Sequence, residues 1–574
     1  MRNHINLILF TFLFSLSLNL LFAQKFDWAK AFESTGYSLS LAVDTDNEGN
    51  VYTTGFFEWS TDFDPGPAIY ELTSVASNDV FVSKLDSLGN FLWAKQFGGG
   101  ISGESGLDIV TDHLGNVYFS GSFNDSVDFD PGIGVFMLHS VSTGNSFVCK
   151  LDPDGNFQWV KQFEGTSGTG EAVSLVLDQS SNCYIGGRFQ NTTDFDPGLG
   201  VYPLVSSGDA DIFICKLDPN GNFIWAKKIG GSQSDILRSI TLDNQGNIYS
   251  TGNFYGTVDF NPGSGIFNMT ATQADVFISK LTNNGDFVWA KKMGGSLIEV
   301  GNGIKLDQSS NIYSIGHFKG AVDFDPGSGV SILSSNSNFE VYVQKLDSAG
   351  NYLWAKQFGS IDNDFGRGLD IDSSNNVYIA GQFMGTVDFE SGPSTYSFST
   401  IATLNNRDVF ICKLDSLGKL QWAKHIGGTG ASDNCLGIDV DAHNKVYTTG
   451  TFMNSVDMDT GQGSLFLTSQ HFLDMFVHRI SPCTMSYDTI NVTHCGNYTS
   501  PSGNNLWSTS GIYIDVITNL SGCDSVITIN LTVIPLPFRI INVIHILLQV
   551  VIISGHPRVF FMIQFPISQD AILY

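Results

Sequence analysis

One recurring tripeptide limits what this chain can fold into more than any other feature. Trp-Ala-Lys stands at Trp28, Trp93, Trp225, Trp289, Trp354 and Trp422, and Trp-Val-Lys at Trp159, in steps of 64 to 68 residues. Seven of the nine Trp residues are therefore one position of a repeat. Three further segments keep the same step: an Asn-Val-Tyr type run at Tyr52, Tyr118, Tyr184, Tyr249, Tyr313, Tyr378 and Tyr447, an Asp-Phe-Asp-Pro-Gly type loop, and an Asp-Val-Phe-Val type run at Phe81 and its equivalents. Such a period marks units that bury their apolar faces against one another.

Within one period, segments 39–44, 50–55, 79–86 and 91–97 are short, rich in Val, Ile, Tyr, Phe or Trp, and bounded by Gly, Asn or Asp. They read as four strands. The links Asp-Ser-Leu-Gly-Asn (86–90) and Asp-Pro-Asp-Gly-Asn (152–156) put Gly where a tight turn needs positive φ, so consecutive strands pair antiparallel. The chain has 574 residues, of which only 15% are charged, with 61 Gly and 45 Phe. That composition disfavours disorder and coiled coil and fits a turn-rich β protein. The fold class is all-β: a seven-bladed β-propeller of four-stranded blades, then a small β module. If the Leu-x-Val-Asp run is innermost and Trp-Ala-Lys outermost, the copy at 26–32 has no blade of its own and the seventh blade lacks an outer strand. The amino-terminal strand is expected to fill that gap.

In their order and number these motifs resemble the bacterial seven-bladed propeller repeat abbreviated SBBP, over residues 26–480, and more loosely the NHL repeat. The resemblance implies a secreted protein of the kind exported by type IX-secreting bacteria, and no defined activity. Residues 1–23 agree with export: Arg2, an apolar run over 7–22, then Ala23, the layout of a cleaved signal. The domains expected are the signal at 1–23, the propeller at 24–480, a small Cys-containing β module at 481–534 and an aberrant tail at 535–574. The product is expected to be secreted or cell-surface, and a monomer without a membrane span.

The 481–534 stretch, with Ser-Gly-Cys-Asp-Ser at 521–525, resembles the short Cys-containing modules that follow such propellers. On that resemblance Cys495 and Cys523 are the expected disulfide pair, with Cys483 as competitor. Cys149, Cys215 and Cys412 share one strand position in different blades and read as buried thiols. From 538 the composition turns abruptly to Ile, Val, Leu and Phe. With free codon choice, 554–574 back-translates in a neighbouring frame to a near copy of the segment from Leu506, so the tail reads as a frame-shifted copy of the preceding module.

A net charge of −28 repels phosphate backbones, so nucleic acid is not an expected partner, and no Lys/Arg run marks an anionic membrane surface. The acid concentrates in paired carboxylates of the Asp-Phe-Asp-Pro-Gly loop: Asp62 with Asp64, Asp128 with Asp130, Asp194 with Asp196, and Asp323 with Asp325. They could hold calcium through carboxylate and backbone oxygens, or shape a turn by accepting backbone hydrogen bonds, and the turn is the simpler reading. A second acid precedes every innermost strand but the first: Glu104, Glu171, Asp235, Glu299, Asp364 and Asp433. Both sets fall on one face, so one mouth of the ring is expected to be strongly negative.

Arg188, Arg238, His317, Arg367 and His425 break the repeat, and read as drift or as an asymmetric site. Trp59, outside the pattern, is a candidate carbohydrate contact. The leading functional reading is a non-enzymatic binding or scaffold module for protein or polysaccharide. The alternative is a carbohydrate-active enzyme at the acidic mouth. An enzyme should show one asymmetric pocket where His, Arg and carboxylate converge, and a scaffold a near-uniform ring.

Overall fold

The computed structural model describes residues 22–534 apart from 100–102, 142–143, 391–395, 401–405, 429–431, 462, 470, 472, 485, 504 and 519–523. Most of the expected signal and the tail from 535 lie outside the described residues. The described residues form strands and turns without a helix. The chain divides into two compact units, one ending at Thr484 and one beginning at Met485.

In the first unit a four-stranded antiparallel meander recurs. Its first copy is Ser38–Thr45, Val51–Asp62, Glu71–Leu85 and Phe91–Phe97. The same pairing order returns in copies whose innermost strands are Ser105–Thr111, Gly170–Leu177, Ile236–Leu242, Glu299–Leu306 and Phe365–Ile371. Asn434–Val440, Val446–Phe452 and Asp474–Thr484 form three strands of a last copy. Their fourth is Phe22–Ser34 from the other end of the chain, antiparallel to Asp474–Thr484 with Phe26 opposite Ile480 and Phe32 opposite Met475.

The repeated residues act between copies as well as within them. Trp93 Nε1 donates to Pro153 O in the following copy at 3.2 Å, and Trp159 Nε1 to Pro219 O at 3.2 Å. The Trp rings lie over turn glycines, Trp28 on Gly89, Trp93 on Gly155 and Trp159 on Gly221, and each Gly has φ near 78°. A side chain at those positions would be strained and would crowd both the indole and the stem of Lys30, Lys95 or Lys161. In the Asp-Phe-Asp loop the Phe is the anchor: Phe63, Phe129, Phe195, Phe260, Phe324 and Phe389 are buried in the sheet cores.

The sequence reading ends the second strand too early and begins the third too late. In the first copy they run on to Asp62 and back from Glu71, and in the next the excursion is a separate short hairpin, Ser126–Asp128 with Met137–His139. Three residues are too few to show a period of two.

A register shift recurs in every innermost strand: Leu237 pairs with Gly252 and Ser239 with Thr251, so Arg238 is skipped. The equivalent bulge residues are Leu41, Leu107, Val173, Asn302, Arg367 and Leu436. A bulge residue leaves the ladder, and its side chain is re-aimed.

In the unit from Met485, Ser486–Cys495 runs parallel to Asp524–Ile534, which pairs antiparallel with Gly511–Thr518 around buried Ile527, Ile529 and Leu531. The expected Cys495–Cys523 bond is corrected here. Cys495 is a free, exposed thiol, while Cys483 is disulfide-bonded. Cys495 ends an exposed strand, and Cys523 lies outside the described residues. Cys149, Cys215 and Cys412 are buried free thiols, with burial pushing each thiol up.

Candidate channel site

A cavity of about 250 Å³ is lined by residues of the innermost strand of every copy. Its lining is layered. The bulge residues form one layer, in which an apolar arc of Leu436, Leu41, Leu107 and Val173 faces a polar arc of Arg238, Asn302 and Arg367. Three residues further along the strands, toward their carboxy ends, the lining continues with Asp44, Val110, Val176, Thr241, Lys305 and Asp439, and the equivalent residue of the sixth copy is Asp370.

At that far end the carboxylates join neighbouring strands. Asp44 accepts from Thr111 N and Oγ1 at 2.7 Å and Asp370 from Val440 N at 2.8 Å, while Asp108, next to the bulge residue Leu107, accepts from Leu175 N at 2.6 Å. Thr45 Oγ1 donates to Asp439 at 2.5 Å, and Lys305 Nζ lies 3.3 Å from Asp370. Burial raises Asp44 to about 7 and Asp108 to about 6 against these bonds. Asp439 is raised further by burial and by Asp44 and Asp370.

The opposite end, where the innermost strands begin, is cationic. Arg367 and Arg407 both lie over the Phe365 ring, at 5.2 and 5.5 Å. His317 packs edge-on against Phe365 at 4.9 Å and Phe339 at 5.1 Å, and its Nδ1 is 3.2 Å from Asn302 Nδ2. Arg188 makes two bonds to Glu171, at 2.9 and 2.7 Å. Burial and the neighbouring guanidiniums push Arg367 down to about 10 and lower Arg238 as well. Burial with Arg367 and Arg238 pushes His317 to about 3, so it is neutral.

Four of the five symmetry-breaking residues, Arg188, Arg238, His317 and Arg367, thus meet at one mouth. The fifth, His425, is elsewhere, 2.7 Å from Asp408. The mouth lies at the end where the acids before the innermost strands were expected to gather, and the expectation of a carboxylate-lined opening there is corrected. Glu104, Asp235, Glu299, Asp364 and Asp433 are almost fully buried, facing Asp79, Asp211, Asp275, Glu340 and Asp408 of the preceding copy. Burial, reinforced by the facing acid, raises Glu104 to about 9, Glu299 and Asp433 to about 8, and Asp235 and Asp364 to about 7. Glu171 is the exception. Counting back from the Asp that closes each innermost strand, it falls one residue out of register, with Gly170 in the buried place. A one-residue slip turns a strand side chain to the other face, here toward Arg188.

The paired loop aspartates, candidates for calcium or for the turn, are occupied by backbone. Asp62 Oδ1 accepts from Asp64 N at 3.0 Å and Tyr70 N at 2.8 Å, and Asp64 Oδ1 from Gly66 N at 2.8 Å. In the next copy Asp128 Oδ1 accepts from the N–H of Asp130 at 3.1 Å and of Phe136 at 2.8 Å, while Asp130 Oδ1 accepts from Gly132 N at 2.9 Å. Asp194 Oδ1 takes the N–H of Asp196 at 3.0 Å and of Tyr202 at 2.7 Å, and Asp196 Oδ1 that of Gly198 at 2.9 Å. Asp323 Oδ1 takes those of Asp325 at 3.0 Å and Ser331 at 2.8 Å, and Asp325 Oδ1 that of Gly327 at 2.8 Å. Asp62, Asp128, Asp194 and Asp323 thus span the loop, while Asp64, Asp130, Asp196 and Asp325 close its Pro-Gly corner. This is turn-shaping geometry. Among the described residues no group of three or more His, Cys, Asp or Glu is placed to hold a metal ion.

Trp59 is exposed and has φ 60°, at the position where other copies carry Asp125, Asn191, Gly256, Gly320, Gly385 and Asn454. Its backbone N–H bonds Ser74 Oγ at 2.8 Å.

Comparison with known proteins bears on the class. Residues 224–253 and 353–382 match the family model of the beta-propeller repeat abbreviated SBBP. The chain is an all-β protein carrying that repeat. An uncharacterized WD repeat-containing protein of Acanthamoeba polyphaga mimivirus is 25% identical over 501 residues, covering 74% of this chain and 36% of that protein. Regulatory protein FlaEY of Caulobacter vibrioides is 27% identical over 203 residues, covering 35% of this chain and 20% of that protein. The chain therefore spans about a third or less of the length of these curated relatives. Among solved structures, Sqt1 from Chaetomium thermophilum aligns with a TM-score of 0.32 at 9% identity over 66% of this chain and 96% of that chain. A protein of unknown function from Bacteroides caccae aligns with a TM-score of 0.30 at 10% identity over 60% and 89%.

Proposed function

We propose that the recurring meanders are the blades of a seven-bladed propeller closed by the Phe22–Ser34 strand, and that it is an exported binding or scaffold module for a protein ligand at the cell surface. The observation that carries the reading is the bulge layer: seven repeated strands present four kinds of side chain, Leu, Val, Arg and Asn, to one cavity. A WD repeat-containing relative is in keeping with a protein partner.

The asymmetry meets half of what an enzyme would need, but the carboxylates speak against one. Both oxygens of Glu171 are taken by Arg188, while Asp44, Asp108, Asp370 and Asp439 each accept a bond that ties adjacent strands. A general acid or base needs its carboxyl oxygens toward substrate. The test is a panel of protein fragments and glycans against the full chain, with and without Ca²⁺. The reading expects binding to protein fragments, no turnover of glycans, and a melting curve unmoved by Ca²⁺. Glycan cleavage would replace it with the enzyme. Closure has its own test: deleting residues 24–33 should lower the melting temperature sharply, and an unchanged curve would contradict a closed ring.

A further inference from the structure

The cationic mouth is out of character for this chain. Acidic residues outnumber basic ones two to one, 56 to 28, yet Arg238 lies within interaction range of Arg188 and Arg367, and Arg367 of Arg407, at one opening. Glu171, the carboxylate facing them, already has both oxygens on Arg188. Asn302 spends its amide on Gly366 O at 2.7 Å and on His317. Arg367 Nε is buried and has no hydrogen-bond partner, and Arg238 is exposed to the channel. His317, neutral, adds no counter-charge. Clustered guanidiniums repel one another and lose hydration, and an anion that accepts from them relieves both penalties.

Across the opening the same layer supplies aliphatic surface, Leu436, Leu41, Leu107 and Val173, all half-buried. A ligand satisfying both arcs needs anionic groups and apolar side chains in short alternation. A peptide has that chemistry, whereas an acidic polysaccharide offers hydroxyl-covered rings with no aliphatic side chain to fill the apolar arc.

We propose that the mouth bounded by Arg238, Arg367 and Arg407 docks an acidic, leucine-containing peptide segment of a protein partner, its carboxylates on the guanidiniums and its aliphatic side chains on the Leu41–Leu107 arc. This rests on the propeller binding-module reading and names the partner class for it. Planar two-point pairing of guanidinium with carboxylate gives orientation as well as affinity.

Fluorescence anisotropy with the full chain and a fluorescein-labelled octapeptide of alternating Glu and Leu tests this, with the Gln-for-Glu peptide as control and oligogalacturonate as competitor. The Glu peptide should bind, weaken as salt rises, and lose at least about tenfold in affinity in the Arg238→Leu/Arg367→Leu protein. Leu is the residue three other copies carry at this position, so the variant should keep the parent melting temperature. The Gln peptide should bind at least about tenfold more weakly, and oligogalacturonate should not displace the probe. Absence of binding by the parent, equal binding by the variant, or displacement by oligogalacturonate would each overturn the proposal. The melting curve of the 24–33 deletion is independent of the peptide, so loss of this inference and loss of the closed-ring reading are separate outcomes.

Discussion

The two ends of the strand-lined cavity handle charge in opposite ways. Where the innermost strands finish, carboxylates reach to the next strand: Asp44 to Thr111, Asp370 to Val440, Asp439 to Thr45. Where they begin, Arg238 and Arg367 project into the cavity from bulges, and Arg367 Nε bonds to nothing. Charge at the far end holds neighbouring strands together. Charge at the near mouth leaves bonding capacity unused, and unused capacity on a lined cavity is what a ligand site provides.

Equivalent substitutions at the two ends should therefore differ in kind. The largest effect is expected from Asp370→Ala, which strips a bond from Val440 N and the partner from Lys305. It should cost about 1–3 kcal/mol in denaturant unfolding while leaving peptide affinity intact. A variant that lost affinity with full stability would reverse the assignment of the two ends.

The next effect is on pH. The buried acids between copies hold their protons to about 7 to 9 in the folded chain, whereas in the unfolded chain carboxyls release them near 4. The folded state therefore binds more protons, and their contribution, full below about 4, is lost as pH rises through 7 to 9. The neutral His317 and His478, both pushed to about 3, act in the opposite sense but only below their unfolded value near 6.5. Melting temperature should thus fall from pH 6.5 to pH 9, and Glu104→Gln should flatten that slope and raise stability at the alkaline end. A slope of opposite sign, or one untouched by Glu104→Gln, would mean that these acids are ionised in the folded chain.

A smaller gain, about 1 kcal/mol, is expected from Trp59→Asn, because a bulky residue at φ 60° is strained where Asn191 and Asn454 are at ease. Calorimetry would read it as a rise in melting temperature. Smallest of all, Arg238→Leu at the cationic mouth should change stability by less than about 0.5 kcal/mol, since among the described residues no bond of the fold depends on it.

The repeat and its strand order were legible because each recurring residue has a repeated physical task. Trp lies on the turn Gly of the next copy, and Phe63 and its equivalents pin the loop into the core. The loop carboxylates were half legible. Their spacing marked both a turn and a possible cation loop, and the backbone N–H groups that engage Asp64, Asp130, Asp196 and Asp325 become visible only in three dimensions. The channel was not legible in the same way. A bulge adds a residue without a compositional mark, and its position varies among Leu, Val, Asn and Arg because it packs into no ladder. Counting back five residues from the closing Asp46, Asp112, Asp178, Asp243, Asp307, Asp372 and Asp441 would have found it, and would have shown Glu171 out of step. The same count exposes Trp59, three residues before Asp62, where other copies carry Asn, Asp or Gly. The acids before the innermost strands looked like a rim because sequence does not tell a loop that faces solvent from one folded between two sheets.

The most direct test of an unequal channel is hydrogen exchange of the full chain, read by mass spectrometry with and without the Glu-Leu octapeptide. Protection confined to the beginnings of the innermost strands, at residues 236–240 and 365–369, is the predicted result. Protection centred on the turns at the far end, 46–50 and 441–445, or spread over the outer strands, would contradict it.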